Sequence, residues 1–277
     1  MDLYFSSTAG GSDQGDNAGC WFEDSGFTQP HGMLPTSGDN AKIWEGTCSS
    51  YSFTCDQVEV MSGATLSSLG GGQTLIQNQG TVTSNSGTIT TNTGGATVTT
   101  NNSGGVIDDN NPSATVTTND FGATVTYNQG TVTTNSGTIT TNTGGATVTT
   151  NASGGTVTTN NGTVTTSSGT VTINASGGVI DDNNPSATVT TNDFGATVTY
   201  NQGTVTTNSG TVTTNASGGS ILANAGAVTT NNGNVKIGTI TGGSGTLSAN
   251  AATNLSSHTA GTNMTLPSGG GGTINWW

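Results

Sequence analysis

The chain has 277 residues, of which 45 are Gly; 29% are apolar, 6% are charged and the net charge is −13. A compact globule of this length carries about 25% charged and about 45–50% apolar residues, so one thick hydrophobic core is excluded. With no Arg, and Lys only at Lys42 and Lys236, the counterion release that drives phosphate binding is missing, and neither nucleic acid nor an anionic membrane is an expected partner.

Residues 1–57 differ in kind from the rest. They hold all three cysteines, Cys20, Cys48 and Cys55, together with Trp21, Phe22 and Trp44. An odd number of cysteines is a poor basis for a disulfide framework, and no Cys-His metal spacing is present. No basic stretch followed by an apolar one occurs in residues 1–15, so export is expected by a route other than a cleaved signal, such as release of a particle by lysis. No run approaches the roughly 18–20 apolar residues of a membrane span. The segment reads as a cap or attachment module, since the open end of a repeat array needs cover.

Residues 58–240 read as a repeat shaft. Residues 78–101 recur at 128–151 with one difference, Ser84 against Thr134, and residues 103–142 recur at 176–215 with one difference, Ile139 against Val212. The unit is a Thr-Val-Thr or Thr-Ile-Thr triplet, then Thr-Asn, then a Gly-containing turn. Branching at Cβ makes Thr, Val and Ile strand formers. Markers every 7 to 10 residues fit a short strand plus a tight turn. They include Val82, Ile89, Val98, Val106, Val132, Ile139, Val148, Val157, Val164, Val171, Val179, Val205 and Val212. Alternation puts these residues inside and the flanking Thr outside.

The first duplication spans six strands and the second nine. If duplication preserves the face that a strand occupies, the common divisor is three. The expected fold is therefore all-β: a three-sided parallel β-helix with about 24 residues per coil, right-handed by the general bias of parallel connections. One face then gathers Thr88, Thr90, Thr115, Thr117, Thr138, Thr140, Thr163, Thr165, Thr188, Thr190, Thr211 and Thr213. The Asn closing each strand is expected at a corner, taking the left-handed conformation and stacking into ladders.

Residues 241–277 lose the triplet and end in Trp276-Trp277, a second cap or tip. The string Trp21-Phe22-Glu23-Asp24, then Leu34-Pro35-Thr36-Ser37-Gly38-Asp39, then Ile43, resembles a lead-in before β-helical stretches of phage and bacterial surface proteins. The repeats resemble β-helical fibre and adhesin segments. The Thr-x-Thr series resembles the flat Thr arrays of insect antifreeze solenoids.

Candidate chemistry is sparse. Asp108-Asp109 with Asp120, and their copies Asp181-Asp182 with Asp193, read as protruding loops rather than a glycosidase pair, because a catalytic centre is not expected twice. His31 and His258 lack a Ser or Cys partner, and no Gly run is followed by Lys-Ser/Thr. The sequence therefore predicts a non-enzymatic protein without metal or cofactor. Its expected setting is the virion surface or the extracellular space, as a bacteriophage fibre, spike or decoration protein. The alternatives are a bacterial adhesin or surface filament, and an ice-binding solenoid. Expected partners are other virion or surface proteins, further copies of the chain as a trimer or end to end, and a cell-surface glycan.

Overall fold

A computed structural model describes residues 2–6, 21–22, 39–49, 57–232, 234–237, 247–249, 253–255 and 274–276. The described residues are all-β without helix, a parallel β-solenoid of about 12 turns with roughly 16 residues per turn. The chain divides into two units, Met1–Thr138 and Ile139–Trp277.

In the first unit, successive strands alternate between two parallel sheets. One holds Asn40–Glu45, Gln57–Val60, Thr74–Asn78, Thr88–Asn92, Val106–Asn110 and Thr124–Asn128. The other holds Thr47–Cys48, Thr65–Leu69, Thr81–Asn85, Thr97–Asn101, Thr115–Asn119 and Thr131–Asn135. Asp2–Ser6 extends the first of these, parallel to Asn40–Glu45, and Trp21–Phe22 pairs antiparallel with it.

The second unit repeats the plan. Thr147–Asn151, Thr163–Ser167, Val179–Asn183, Thr197–Asn201, Thr211–Asn215 and Ala227–Asn231 form one sheet. Thr156–Asn160, Thr170–Asn174, Thr188–Asn192, Thr204–Asn208 and Ser220–Asn224 form the other. Parallel pairing continues past the repeats, through Leu247–Ala249 on one sheet and Asn234–Ile237, Thr253–Leu255 and Ile274–Trp276 on the other.

This pairing corrects the expected coil. Val82 lies beside Val98, then Val116, then Val132, and Ile89 lies beside Ile107, then Val125. Each turn thus has two strands, not three, and roughly 16 residues, not 24. The assumption that duplication preserves the face fails for a physical reason. Both sheets are built from the same pentapeptide: in the second unit Thr-Val-Thr-Thr-Asn occurs at 156–160, 188–192 and 204–208 in one sheet, and at 147–151 and 211–215 in the other. A strand that fits either sheet can be copied across an odd number of strands without disturbing the core.

The marker at two strands also moves. In Val106–Asn110 and Val179–Asn183 the fully buried residues are Ile107 and Ile180, while Val106 and Val179 are half-buried. The burial pattern explains the register: the second and fifth residues of each pentapeptide point inward, and the third and fourth both lie on the outer side. Simple alternation would send the fifth residue inward only if the third were inward too. Instead bridges form at the first, second, fourth and fifth positions and skip the third. The break in alternation there turns the fifth residue inward, where Asn is buried.

Two kinds of connection close the turns. The four-residue kind, such as Thr93 to Ala96, is closed by the Ala96 amide donating to the Thr93 carbonyl at 3.1 Å. The two-residue kind is Ser86-Gly87 and its equivalents. Exchanging one for the other changes the spacing of stacked Asn residues between 14, 16 and 18, while the strand register stays fixed. The left-handed conformation falls on Gly, as at Gly104 (φ 81°), and on Ser113. Among the described residues no ladder Asn adopts it, which corrects the expected role of Asn at corners.

Candidate binding surfaces

Among the described residues the interior of the repeats is filled mainly by apolar and amide side chains. Val82, Ile89, Val98, Val132, Ile139, Val148, Val157, Val164, Val171, Val205 and Val212 are fully buried. The other inward position is filled by Asn, by Ser at Ser167 or by Leu at Leu69, all buried. In most rungs the Asn amide donates to the side-chain oxygen of the Asn one turn on, whereas Asn151 donates to Ser167 Oγ. In the first unit Asn78, Asn92, Asn110 and Asn128 form one such ladder, at 2.7, 2.8 and 2.7 Å. Asn85, Asn101, Asn119 and Asn135 form the other, at 2.7, 2.8 and 2.8 Å. The second amide hydrogen reaches a backbone carbonyl: Asn101 Nδ2 donates to Thr124 O at 3.1 Å and Asn119 Nδ2 to Thr138 O at 3.2 Å. Buried amides saturated in this way stabilise one register; unsatisfied, each costs about 1–3 kcal/mol.

The Thr series predicted to share one face does not. Thr88 and Thr90 lie in one sheet of the first unit and Thr115 and Thr117 in the other; in the second unit Thr163, Thr165, Thr211 and Thr213 lie in one sheet and Thr188 and Thr190 in the other. Thr138 begins, and Thr140 continues, the strand that spans the division between units. All are half-buried or exposed. The sheets assemble different arrays. In the first unit Thr81/Thr83, Thr97/Thr99, Thr115/Thr117 and Thr131/Thr133 stack in register on four consecutive strands. In the second unit Thr156/Thr158, Thr170/Thr172, Thr188/Thr190 and Thr204/Thr206 do so.

The acidic strands fall on the other sheet of each unit. Val106–Asn110 lies between Thr88–Asn92 and Thr124–Asn128, and Val179–Asn183 between Thr163–Ser167 and Thr197–Asn201. Asp108, Asp109, Asp181 and Asp182 are half-buried strand residues, not members of protruding loops as the sequence suggested. The reason is register: Asp follows the inward Ile at the two outer positions of the pentapeptide. Asp109 lies beside Tyr127 and Asp182 beside Tyr200. Tyr127 and Tyr200 are exposed, and Phe121 and Phe194 project from corners at 77% and 85% exposure. These four aromatics were not singled out from the sequence. The signal was Tyr at a position that is Thr in most pentapeptides, and Phe in a Gly-rich turn. Among the described residues no group of three or more His, Cys, Asp or Glu could hold a metal ion.

At the N-terminal end Trp21 is buried against Phe5, with ring centroids 5.3 Å apart. Trp44 is partly exposed and meets Tyr4 edge to face. Lys42 Nζ donates to Asp2 at 2.8 Å, and Asn40 Nδ2 donates to the same carboxylate at 2.7 Å. These bonds pull the Asp2 carboxyl below its ordinary range, and the Asp2 bond raises Lys42. Cys48 is a buried thiol outside any disulfide. The Phe22 backbone pairs with Tyr4 and that of Trp276 with Leu255. Cys20, Cys55, His31, His258 and Trp277 lie outside the described residues, as does most of the lead-in between residues 23 and 38. No known protein family, curated protein or solved structure matches the chain.

Proposed function

We propose that this chain is a non-enzymatic structural protein: the stiff shaft of a bacteriophage fibre, spike or decoration protein at the virion surface, which holds recognition elements away from its base. The observation that supports this is the filling of the interior. Turn after turn of the described repeats carries an inward Val or Ile and, at nearly every rung, a hydrogen-bonded Asn, a construction that resists bending and slippage. Its partners are other virion proteins, further copies of the chain, and a surface glycan at the exposed aromatics. Immunogold labelling of virion and cell-envelope fractions with antibody to the purified chain tests the reading. Label on particle appendages is expected; label on cell envelopes without particles overturns it in favour of a bacterial adhesin or filament.

One observation favours a second reading, ice binding: each unit carries an uninterrupted four-strand Thr-x-Thr array on a single sheet. Parallel strands repeat about every 4.8 Å, so methyl and hydroxyl groups recur on a regular grid. Thermal hysteresis of the purified chain decides it: a millimolar solution without hysteresis excludes ice binding, whereas hysteresis abolished by Thr99→Lys and Thr117→Lys together establishes it.

A further inference from the structure

One rung of the ladders departs from the rest. In the sheet that holds Thr147–Asn151, Thr163–Ser167 and Val179–Asn183, the fifth residue of the middle strand is Ser167, flanked in register by Asn151 and Asn183. Ser167 and Asn183 are both fully buried. Asn183 Oδ1 is a buried acceptor without a hydrogen-bond donor. Its sequence copy behaves differently: Asn110 Oδ1 accepts from Asn92 Nδ2 at 2.8 Å. The rung beneath differs at two positions, Val164 for Ile89 and Ser167 for Asn92; at the ladder position this replaces a three-atom amide group by one hydroxyl oxygen. The residue two positions beyond Asn183 is Pro185, which has no N–H to offer. On shorter corners a Gly amide does this work, as where Gly87 N donates to Asn85 Oδ1 at 3.1 Å.

We infer that Ser167 creates a binding site for one buried water molecule, which takes the place of the missing amide in the ladder. The water donates one hydrogen to Asn183 Oδ1, and its oxygen accepts the Ser167 hydroxyl proton. Ser167 Oγ meanwhile accepts from Asn151 Nδ2, at 3.4 Å. A buried polar position with at least two partners suits an ordered internal water, whereas an apolar gap stays dry. Turning the Asn183 amide over is not an equivalent remedy. Asn183 Nδ2 already donates to Asn201 Oδ1 at 2.7 Å, and Asn201 Nδ2 to Asn215 Oδ1 at 2.7 Å. Reversal would oppose oxygens unless the whole run reversed. That would turn side-chain oxygens toward carbonyls that now receive hydrogens, including Gly219 O, which accepts from Asn215 Nδ2 at 3.4 Å.

High-resolution crystal structures of the full chain and its Ser167→Asn variant test the site. The unsubstituted chain is expected to show one solvent peak within hydrogen-bond distance of both Asn183 Oδ1 and Ser167 Oγ. In Ser167→Asn that peak is replaced by the new amide, donating to Asn183, and Tm rises by about 2 °C or more. Asn92→Ser is expected to create a second solvent site beneath Asn110. A dry gap in the unsubstituted chain overturns the proposal, as does an Asn183 amide found reversed with Nδ2 donating to Ser167. Because the first arm uses the chain unaltered, it stands even where a variant fails to fold.

Discussion

Asn101 Nδ2 donates to Asn119 Oδ1 at 2.8 Å across one turn, and both side chains are fully buried. That bond is the repeating joint of the fold, and its removal is the most direct stability test. Asn119→Ala removes the oxygen that accepts from Asn101 Nδ2, which keeps Thr124 O as an acceptor, and removes the amide that donates to Asn135 Oδ1. The expected loss is about 1–3 kcal/mol, from two buried side-chain hydrogen bonds removed together. Chemical denaturation with an unchanged m-value checks it; a loss under about 0.5 kcal/mol would show that the ladder adds register and not stability.

The two classes of Gly give opposite responses to Asn. Gly104 has φ 81° with open space around a would-be Cβ, whereas a Cβ on Gly137 would run into the carbonyl oxygens of Asp120 and Ala123. Gly104→Asn is expected to cost less than about 1 kcal/mol, because Asn visits the left-handed region. Gly137→Asn is expected to cost about 1–3 kcal/mol or to block folding, because backbone carbonyls cannot give way. Thermal unfolding of the pair separates conformational from steric need.

Val116 is fully buried and its neighbour Thr117 half-buried on the outer side. Val116→Thr places a hydroxyl in the apolar stack and should cost about 1–3 kcal/mol, while Thr117→Val should stay within about 0.5 kcal/mol. Equal effects would mean that the inward register is wrong.

Much of this fold was legible in the sequence. Thr-Val-Thr at 7-to-10-residue spacing named the strands, and Asn in a fixed place named the ladders. What failed was the number of strands per turn. Residues 103–142 were copied to 176–215 across nine strands, and an odd number looks incompatible with a two-sheet solenoid. It is compatible here because Thr-Val-Thr-Thr-Asn presents the same inward Val and Asn to either sheet. Val106 was taken as inward because Val106-Ile107 offers two apolar candidates. Counting back three residues from Asn110 selects Ile107, but only once Asn is known to be buried. The candidate surfaces were less legible still: which Thr pairs share a sheet, and that Asp109 neighbours Tyr127, depend wholly on that strand count.

The Asp2–Lys42 bond links the first strand to Asn40–Glu45. Asp2 has its folded pKa lowered from 3.8, so its contribution is present above that value and is lost as pH falls through the lower folded one. Lys42 is raised from 10.5, so its contribution is present below that value and is lost as pH rises through the higher folded one. Partial exposure limits the pair to less than about 1 kcal/mol. Amide exchange of residues 3–6 should be slowest at the same intrinsic rate between those limits, and Asp2→Asn should flatten the acid limb. An unchanged acid limb in the variant would assign it to another carboxylate.

The strand count itself can be tested by crosslinking. Thr100 pairs with Thr118 on the next strand of its sheet, and both side chains lie on the outer side. Neighbouring parallel strands are about 4.8 Å apart, within the Cα separation that a disulfide spans. Thr100→Cys with Thr118→Cys should therefore crosslink under mild oxidation. A three-strand coil would instead set Val98 beside Val125, and so Thr100 beside Tyr127. Tyr127 pairs with Asp109 on the other sheet, so Thr100→Cys with Tyr127→Cys should stay reduced. Both variants are best made with Cys20, Cys48 and Cys55 replaced by Ser or Ala, so that a band shift on a non-reducing gel, or its absence, reports the introduced pair alone. Crosslinking of the second pair and not the first would restore the 24-residue coil.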